Sequence, residues 1–214
     1  GMKQTIDFVI KYALDRRQFG QSISKMDVIK GKLAQMIIQT YTADSMIYRT
    51  IGLMQEGINI LDKSSKDYYL NLGKTMEEYA IESSMAKIYG SEAMSYVIDE
   101  GIQIMGGYGF MEEYPLAEVY RSNRINRIWE GTNEINRQII TGYMIKKTLM
   151  EDLPVRESIK KIDDFLDNES IHTESDLLFK EKNALDTGKN MALYLFHEAL
   201  NEYGQDLKHE QQLT

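Results

Sequence analysis

The 214-residue chain has no cysteine, which removes disulfides, thiolate nucleophiles and Cys-ligated metals from consideration together. It has only two prolines, Pro115 and Pro154, so long segments are free of the lost N–H and the ring clash that end a helix. No apolar run approaches the ~20 residues that cross a bilayer, and the first residues show neither the basic start nor the apolar core of a signal peptide. A soluble, cytoplasmic protein is expected. Gly1 ahead of Met2 reads as an expression-tag remnant, with natural sequence upstream. A basic stripe is also missing. Residues 1–148 carry 18 Lys and Arg against 18 Asp and Glu, and residues 149–214 carry 7 against 15, so the net charge of −8 belongs to the tail. Phosphate binding along a nucleic acid relies on clustered positive charge, and no nucleic-acid partner is expected.

What is present is 43% hydrophobic and 27% charged, enough for one sizeable core with a smaller appendage. Apolar residues recur at spacings of three and four, which predicts an almost wholly α-helical chain. Ile6, Val9, Ile10, Ala13 and Leu14 mark one face of a first helix ending near Gly20. Ile29, Leu33, Met36, Ile37, Ile47, Ile51 and Met54 mark a second, before Gly57. After a polar break at 62–67 a third runs from about Tyr69 to Met105, with Met85, Tyr89, Tyr96 and Val97 as inward candidates. Gly106, Gly107 and Gly109 end it, Pro115 opens a short turn through Arg124, and a fourth helix spans Thr132 to about Leu149. The expected architecture is a four-helix bundle over 1–149. Residues 150–214 form an acidic helical extension, with a turn at Ile162, Phe165 and Leu166 and a last helix over Leu177–Tyr203, too short to bury a core of its own.

Among residues that could carry chemistry, Glu130 stands out. It follows Trp129 and precedes Gly131 and a helix start, where a carboxylate usually serves only as a partner for the helix dipole. A di-iron bundle needs two Glu-x-x-His pairs. Only Glu169-Ser170-Ile171-His172 has the spacing, in a polar acidic tail, so no metal is expected. The 13 methionines suit flexible core filling, or the wall of a long apolar ligand. Gly106-Gly107-Tyr108-Gly109 follows a helix rather than a strand, which excludes a dinucleotide-binding βαβ turn and leaves a helix C-cap as the plain alternative. Arg121, Arg124 and Arg127, three apart, form either a solvated stripe or an anion-binding surface.

Four segments in order join these residues. Arg16-Arg17-Gln18-Phe19-Gly20 after Tyr12-Ala13, Gln103-Ile104-Met105-Gly106-Gly107-Tyr108-Gly109-Phe110, Tyr114-Pro115, and Arg121 leading into Trp129-Glu130-Gly131-Thr132-Asn133-Glu134-Ile135 together resemble the C-terminal domain of acyl-CoA dehydrogenases, across residues 5 to about 148. The Arg-rich approach to Glu130, the Thr-Asn after it and the presence of a tail are most similar to the very-long-chain branch.

The resemblance implies a C-terminal bundle that works beside an N-terminal helical domain and a middle β-domain, with FAD held between the β-domain and the bundles of two subunits. It implies α,β-dehydrogenation of acyl-CoA thioesters in fatty-acid β-oxidation, with Glu130 as the base that takes the α-proton. The Glu130 N–H and a ribityl hydroxyl would polarise the thioester carbonyl. Trp129 and Gly131 would lie against the substrate, and exclusion of water there would favour the base. Arg16, Gln18 and Phe19 match contacts to the pyrophosphate and adenosine of FAD. Gln103, Gly106 and Gly107 match a loop on FAD bound mainly to a neighbouring subunit, and Thr132 and Glu134 lie near the flavin. An electron-transfer flavoprotein as acceptor and a homodimer through the bundle follow. Two positions depart from the family: Trp129 is more often Tyr or Phe, and Glu134 replaces an often uncharged residue. With no counterpart of the β-domain present, the chain is expected to be an inactive fragment alone. An acyl-CoA oxidase-like relative and a non-catalytic assembly domain are the competing readings.

Overall fold

The computed structural model describes residues 1–167 and 175–210. The Glu169–His172 spacing lies outside them. The described chain divides into two compact units, Gly1–Ile139 and Ile140–Thr214, with the division inside the fourth predicted helix.

In the first unit, α1 (Met2–Asp15) buries Ile6, Val9 and Ala13 at helical spacing. It ends where Arg16 turns extended, and its last carbonyls are taken up locally: the Ser22 hydroxyl lies 2.8 Å from Ala13 O and 3.0 Å from Leu14 O. Between them β1 (Arg17–Gln18) and β2 (Gln21–Ser22) form a hairpin, Gln18 opposite Gln21. Helix α2 (Asp27–Asn59) buries Met36, Thr40 and Ala43. Helix α4 (Ala80–Met105) lies at the centre, packing on both α1 and α2. Its Gly101 permits this: a Cβ there would sit 3.1 Å from Val9 and 3.2 Å from Leu116 of α6 (Pro115–Asn123), which follows the single turn α5 (Gly107–Phe110). Val9, Met36, Val97, Ile104 and Leu116 form the core, and the Lys32–Glu100 ion pair ties α2 to α4 beside it.

The four predicted helices are present as α1, α2, α4 and α7 (Asn133–Leu149). The third was expected to be continuous from Tyr69, and here the structure differs: α3 (Tyr68–Glu78) is separate, with a break at Tyr79. The Tyr79 N–H folds back on Met76 O and Glu77 O, and its hydroxyl donates to Leu53 O of α2 at 3.1 Å. Anchoring that ring on α2 overrides the helix periodicity on either side of it.

Several residues assigned to apolar faces are exposed: Leu14, Ile37, Ile47, Ile51 and Met85. The physical reason for α2 is length. Its 33 residues outrun the 14 of α1, whose Lys3 end pairs with Asp44, leaving Tyr48 and Ile51 exposed beyond it, while Ile37 and Tyr41 edge an open cleft with Ile6 and Ile10 of α1.

In the second unit, α8 (Val155–Asp167) and α9 (Phe179–Tyr203) pack together. The extension was expected to lack a core, yet Val155, Ile159 and Ile162 are buried against Leu153, Leu193 and Phe196. Two amphipathic helices suffice for this small cluster because each supplies one apolar stripe to the other. No helix among the described residues is long and apolar enough to cross a membrane.

Candidate active site

Helix α6 runs into a 3-10 turn at Arg124–Arg127, and the chain then passes through Trp129-Glu130-Gly131-Thr132 before α7. Glu130 has φ +53° and Gly131 φ +84°. A glycine adopts that region freely, but a Glu held there carries strain, a condition that surrounding structure must impose and that gathers at functional sites. Among the described residues the Glu130 carboxylate and backbone N–H take part in no hydrogen bond or ion pair. Carboxylate and N–H are both free, on one exposed residue.

Beneath the turn lies a polar scaffold. Asn133, 2% exposed, donates to the Ser91 hydroxyl at 3.0 Å and to Glu92 Oε1 at 3.1 Å. Lys87 Nζ donates to Gly131 O at 2.7 Å and to Asn133 Oδ1 at 2.8 Å. Asn136 Nδ2 reaches Gly131 O at 2.9 Å and Thr132 O at 3.0 Å. Arg137 closes the network on Glu92 at 2.8 Å, and Arg127 lies 3.6 Å from the same oxygen. None of Lys87, Ser91, Glu92 or Asn136 stood out in the sequence as a site residue. The available signal was three polar residues, Lys87, Ser91 and Ser95, at intervals of four along one helix.

Thr132 caps α7, its hydroxyl accepting the Ile135 N–H at 3.3 Å. The exposed Glu134 carboxylate is held below its ordinary value, first by its own backbone N–H, then by the Thr132 hydroxyl, with Arg137 and Arg127 adding to this. Two donors at this helix start are thus already engaged by the chain's own oxygens. Trp129 is 55% exposed, its indole available as an apolar wall.

Burial works to raise the Glu92 carboxyl, but the bonds from Arg137 and Asn133 and the charges of Arg137 and Arg127 outweigh it and hold Glu92 below its ordinary value. A depressed folded value means stability that is present above the unfolded carboxylate pKa and lost as pH falls through the folded one. Acidification below about pH 4 is therefore expected to loosen the scaffold. Denaturant titrations between pH 3 and 7 check this: Glu92→Gln should be less stable at pH 7 and lose less on acidification. Parallel pH curves for the two proteins would refute it.

A second cluster lies at the end of α1. Arg16 and Gln18 line a cavity of about 450 Å³ together with Tyr12, Gly106, Gly107 and Tyr108. Arg16 sits 5.4 Å from the Tyr108 ring centre and forms none of the ion pairs found among the described residues. The Tyr12 hydroxyl donates to Met105 O at 3.1 Å, and burial pushes its phenol up, against the pull of Arg16. Gly106 caps α4 at φ +61°, ψ −139°, a region close to glycine-only. A Cβ on Gly106 or Gly107 would meet nothing within 4 Å, so their hydrogens face open space. An uncompensated guanidinium above bare backbone suits an anion such as a pyrophosphate. Phe19 lies just outside, in the hairpin turn at φ +51° and 91% exposed, and Gln103 is exposed on the last turn of α4. Neither borders the cavity, and neither do Trp129 and Glu130. Of the arginine stripe, Arg121 pairs with Glu112 at 2.8 Å and Arg127 with Glu92, while Arg124 and Arg127 edge a separate polar cleft with Asp99 and Asn123.

Residues 1–144 match the family described as acyl-CoA dehydrogenase, C-terminal domain. The chain belongs to the acyl-CoA dehydrogenase family. Over 212 residues, 99% of the chain, it is 36% identical to a probable acyl-CoA dehydrogenase of Bacillus subtilis, of which it covers 36%. That match takes in the C-terminal extension as well as the bundle. It is 40% identical over 139 residues, 65% of the chain, to the very long-chain specific acyl-CoA dehydrogenase of Rattus norvegicus mitochondria, of which it covers 18%. The crystal structure of an acyl-CoA dehydrogenase complexed with FAD from Bacillus anthracis superimposes on 98% of the chain with a TM-score of 0.91 and 38% identity, the chain covering 36% of it. The chain thus spans about a third of the length of its Bacillus relatives. The two clusters differ in kind: one presents a free carboxylate on a strained turn, the other a guanidinium beside open glycine backbone.

Proposed function

We propose that this domain supplies the base and part of the cofactor cradle of an FAD-dependent acyl-CoA dehydrogenase acting on fatty acyl-CoA thioesters. The observation that carries the proposal is the free Glu130 carboxylate beside its own free backbone N–H, on a strained turn. An α-proton of a thioester is a weak acid until its carbonyl oxygen meets a placed donor. The Glu130 N–H donates to that oxygen, and the Glu130 carboxylate removes the proton. Trp129 shields the pair from water.

The unpaired Arg16 and the open backbone of Gly106 and Gly107 fit the pyrophosphate of FAD, and the exposed Phe19 ring is available to the adenosine half. When bound, FAD supplies the acceptor for the β-hydride. Because the cavity shares no wall residue with the Glu130 turn, we read the two as serving different active sites of a homodimer. The exposed α2 row of Ile37, Tyr41, Tyr48 and Ile51 supports such pairing. Electrons then leave to an electron-transfer flavoprotein.

The test is anaerobic addition of an acyl-CoA thioester to the full-length protein purified with FAD. Bleaching of the flavin absorption is expected, with reoxidation by an electron-transfer flavoprotein faster than by air. A protein that holds no FAD, or whose flavin stays oxidised with every acyl chain length, overturns the proposal.

A further inference from the structure

The Glu130 turn is held from two directions, and they are not equivalent. Asn133 and Asn136 belong to α7, the helix that the turn itself opens. Lys87 belongs to α4, the central helix of the bundle. Its ammonium donates to Gly131 O at 2.7 Å and to Asn133 Oδ1 at 2.8 Å. Among the described residues it is the α4 side chain that bonds the backbone of the turn directly. Ser91 and Glu92 reach the Asn133 side chain behind it, and Glu92 also takes Arg127 and Arg137 on either side of the turn.

Lys87 is also unusual in what it bonds. A half-buried lysine commonly pairs with a carboxylate, yet this one gives its charge to two neutral oxygens. Ammonium bonds to such oxygens are stronger and shorter than neutral ones, and the bond to Gly131 O falls one residue after a glutamate held at φ +53°. A strained residue keeps its conformation only when its neighbours over-determine it. Gly131 O is the point of application, since it takes Lys87 on one lone pair and Asn136 on the other.

We propose that Lys87 is a positioning residue for the base: acting through Gly131 O and Asn133, it fixes Glu130 and its backbone N–H relative to the bundle without touching the substrate. This rests on the assignment of Glu130 as the base. A packing role predicts a different pattern. Packing alone would lower stability and leave turnover unchanged. Positioning lowers turnover at saturating substrate, because reactivity falls steeply with displacement of about 1 Å, while the rest of the binding surface is intact.

The full-length FAD-bound protein tests this with Lys87→Met, Lys87→Arg and, as reference, Glu130→Gln. For Lys87→Met the limiting rate of anaerobic flavin reduction should fall ~10–100-fold, with the half-saturating acyl-CoA concentration within about threefold of wild type. Lys87→Arg, which retains donors for both oxygens, should recover most of the loss. Amide hydrogen exchange at Ile135 and Asn136, whose N–H groups bond Thr132 at the end of the turn, measured without substrate, should accelerate in Lys87→Met and not in Glu130→Gln. A limiting rate within twofold of wild type for Lys87→Met, unchanged exchange, or a loss that appears only as a lower melting temperature overturns the proposal. Should Lys87→Met fail to fold, Lys87→Gln, which keeps a shorter donor, carries the same comparison. If wild-type protein shows no flavin reduction, the dehydrogenase assignment fails, and the exchange data still decide whether Lys87 holds the turn.

Discussion

Replacing Glu130 by Gln in the full-length protein is expected to lower the limiting rate of thioester-dependent flavin reduction by ~10²–10⁴-fold. Gln keeps the shape of the side chain and the backbone N–H, so thioester binding and carbonyl polarisation remain, and what disappears is the proton acceptor. The structure also predicts what should not change. The Glu130 carboxylate has no intramolecular partner among the described residues, so its replacement breaks no bond of the fold, and stability should stay within about 0.5 kcal/mol of wild type. FAD content should match wild type too, because the cradle at Arg16, Gly106 and Gly107 is built elsewhere. Rapid-mixing absorbance under anaerobic conditions reads the rate, and denaturant titration reads the stability. A variant within tenfold of wild type would remove Glu130 as the base. A variant that is slow but also unstable would point to a structural contribution that the free carboxylate does not suggest.

What the sequence revealed depended on whether a feature was local. Helix α1 stops at Asp15, short of the expected Gly20, because Arg16 turns extended into the β1–β2 hairpin and Gly20 serves the hairpin turn instead, but the ends of α2, α7 and α9 follow from glycine, proline and apolar spacing, which act within a few residues. The Glu130 turn was legible for the same reason, as a carboxylate before a glycine at a helix start. The break at Tyr79 was not, since it depends on a hydroxyl reaching Leu53 O on another helix. Ile37, Ile47 and Ile51 of α2 were read as inward because periodicity marks an apolar face without saying what covers it. The scaffold of Lys87, Ser91, Glu92, Asn133 and Asn136 joins segments more than 40 residues apart in sequence, and a lysine on an amphipathic helix ordinarily means a solvated face. The resemblance to the family supplied the expectation of cofactor contacts at Arg16 and Gly106. The structure added that these share one cavity, and that Phe19, Gln103 and Glu130 lie outside it.

The glycine run after α4 gives the second large effect, because its glycines are there for different reasons. A Cβ on Gly109 would lie 2.7 Å from Ile102 O and 2.8 Å from Ile102 Cα, both backbone atoms of α4 that cannot swing aside like the tip of a side chain. That same carbonyl accepts the Gly106 N–H at 2.9 Å, and Gly106 O accepts the Gly109 N–H at 2.9 Å. Gly109→Ala must therefore push apart the two bonds that close the α4 cap, at a cost of about 1–3 kcal/mol typical of forced overpacking. Gly107→Ala meets nothing within 4 Å and sits at a φ open to any residue, so it should fold with near wild-type stability. The two variants then separate fold from cradle. Gly109→Ala should melt earlier and lose FAD, because Gly106 moves with the cap. Gly107→Ala should melt normally without cofactor but retain less FAD on dilution, since its methyl enters the space beneath Arg16. Equal melting temperatures for the two would contradict the contact at Ile102. Undiminished FAD retention in Gly107→Ala would place the cofactor away from this cavity.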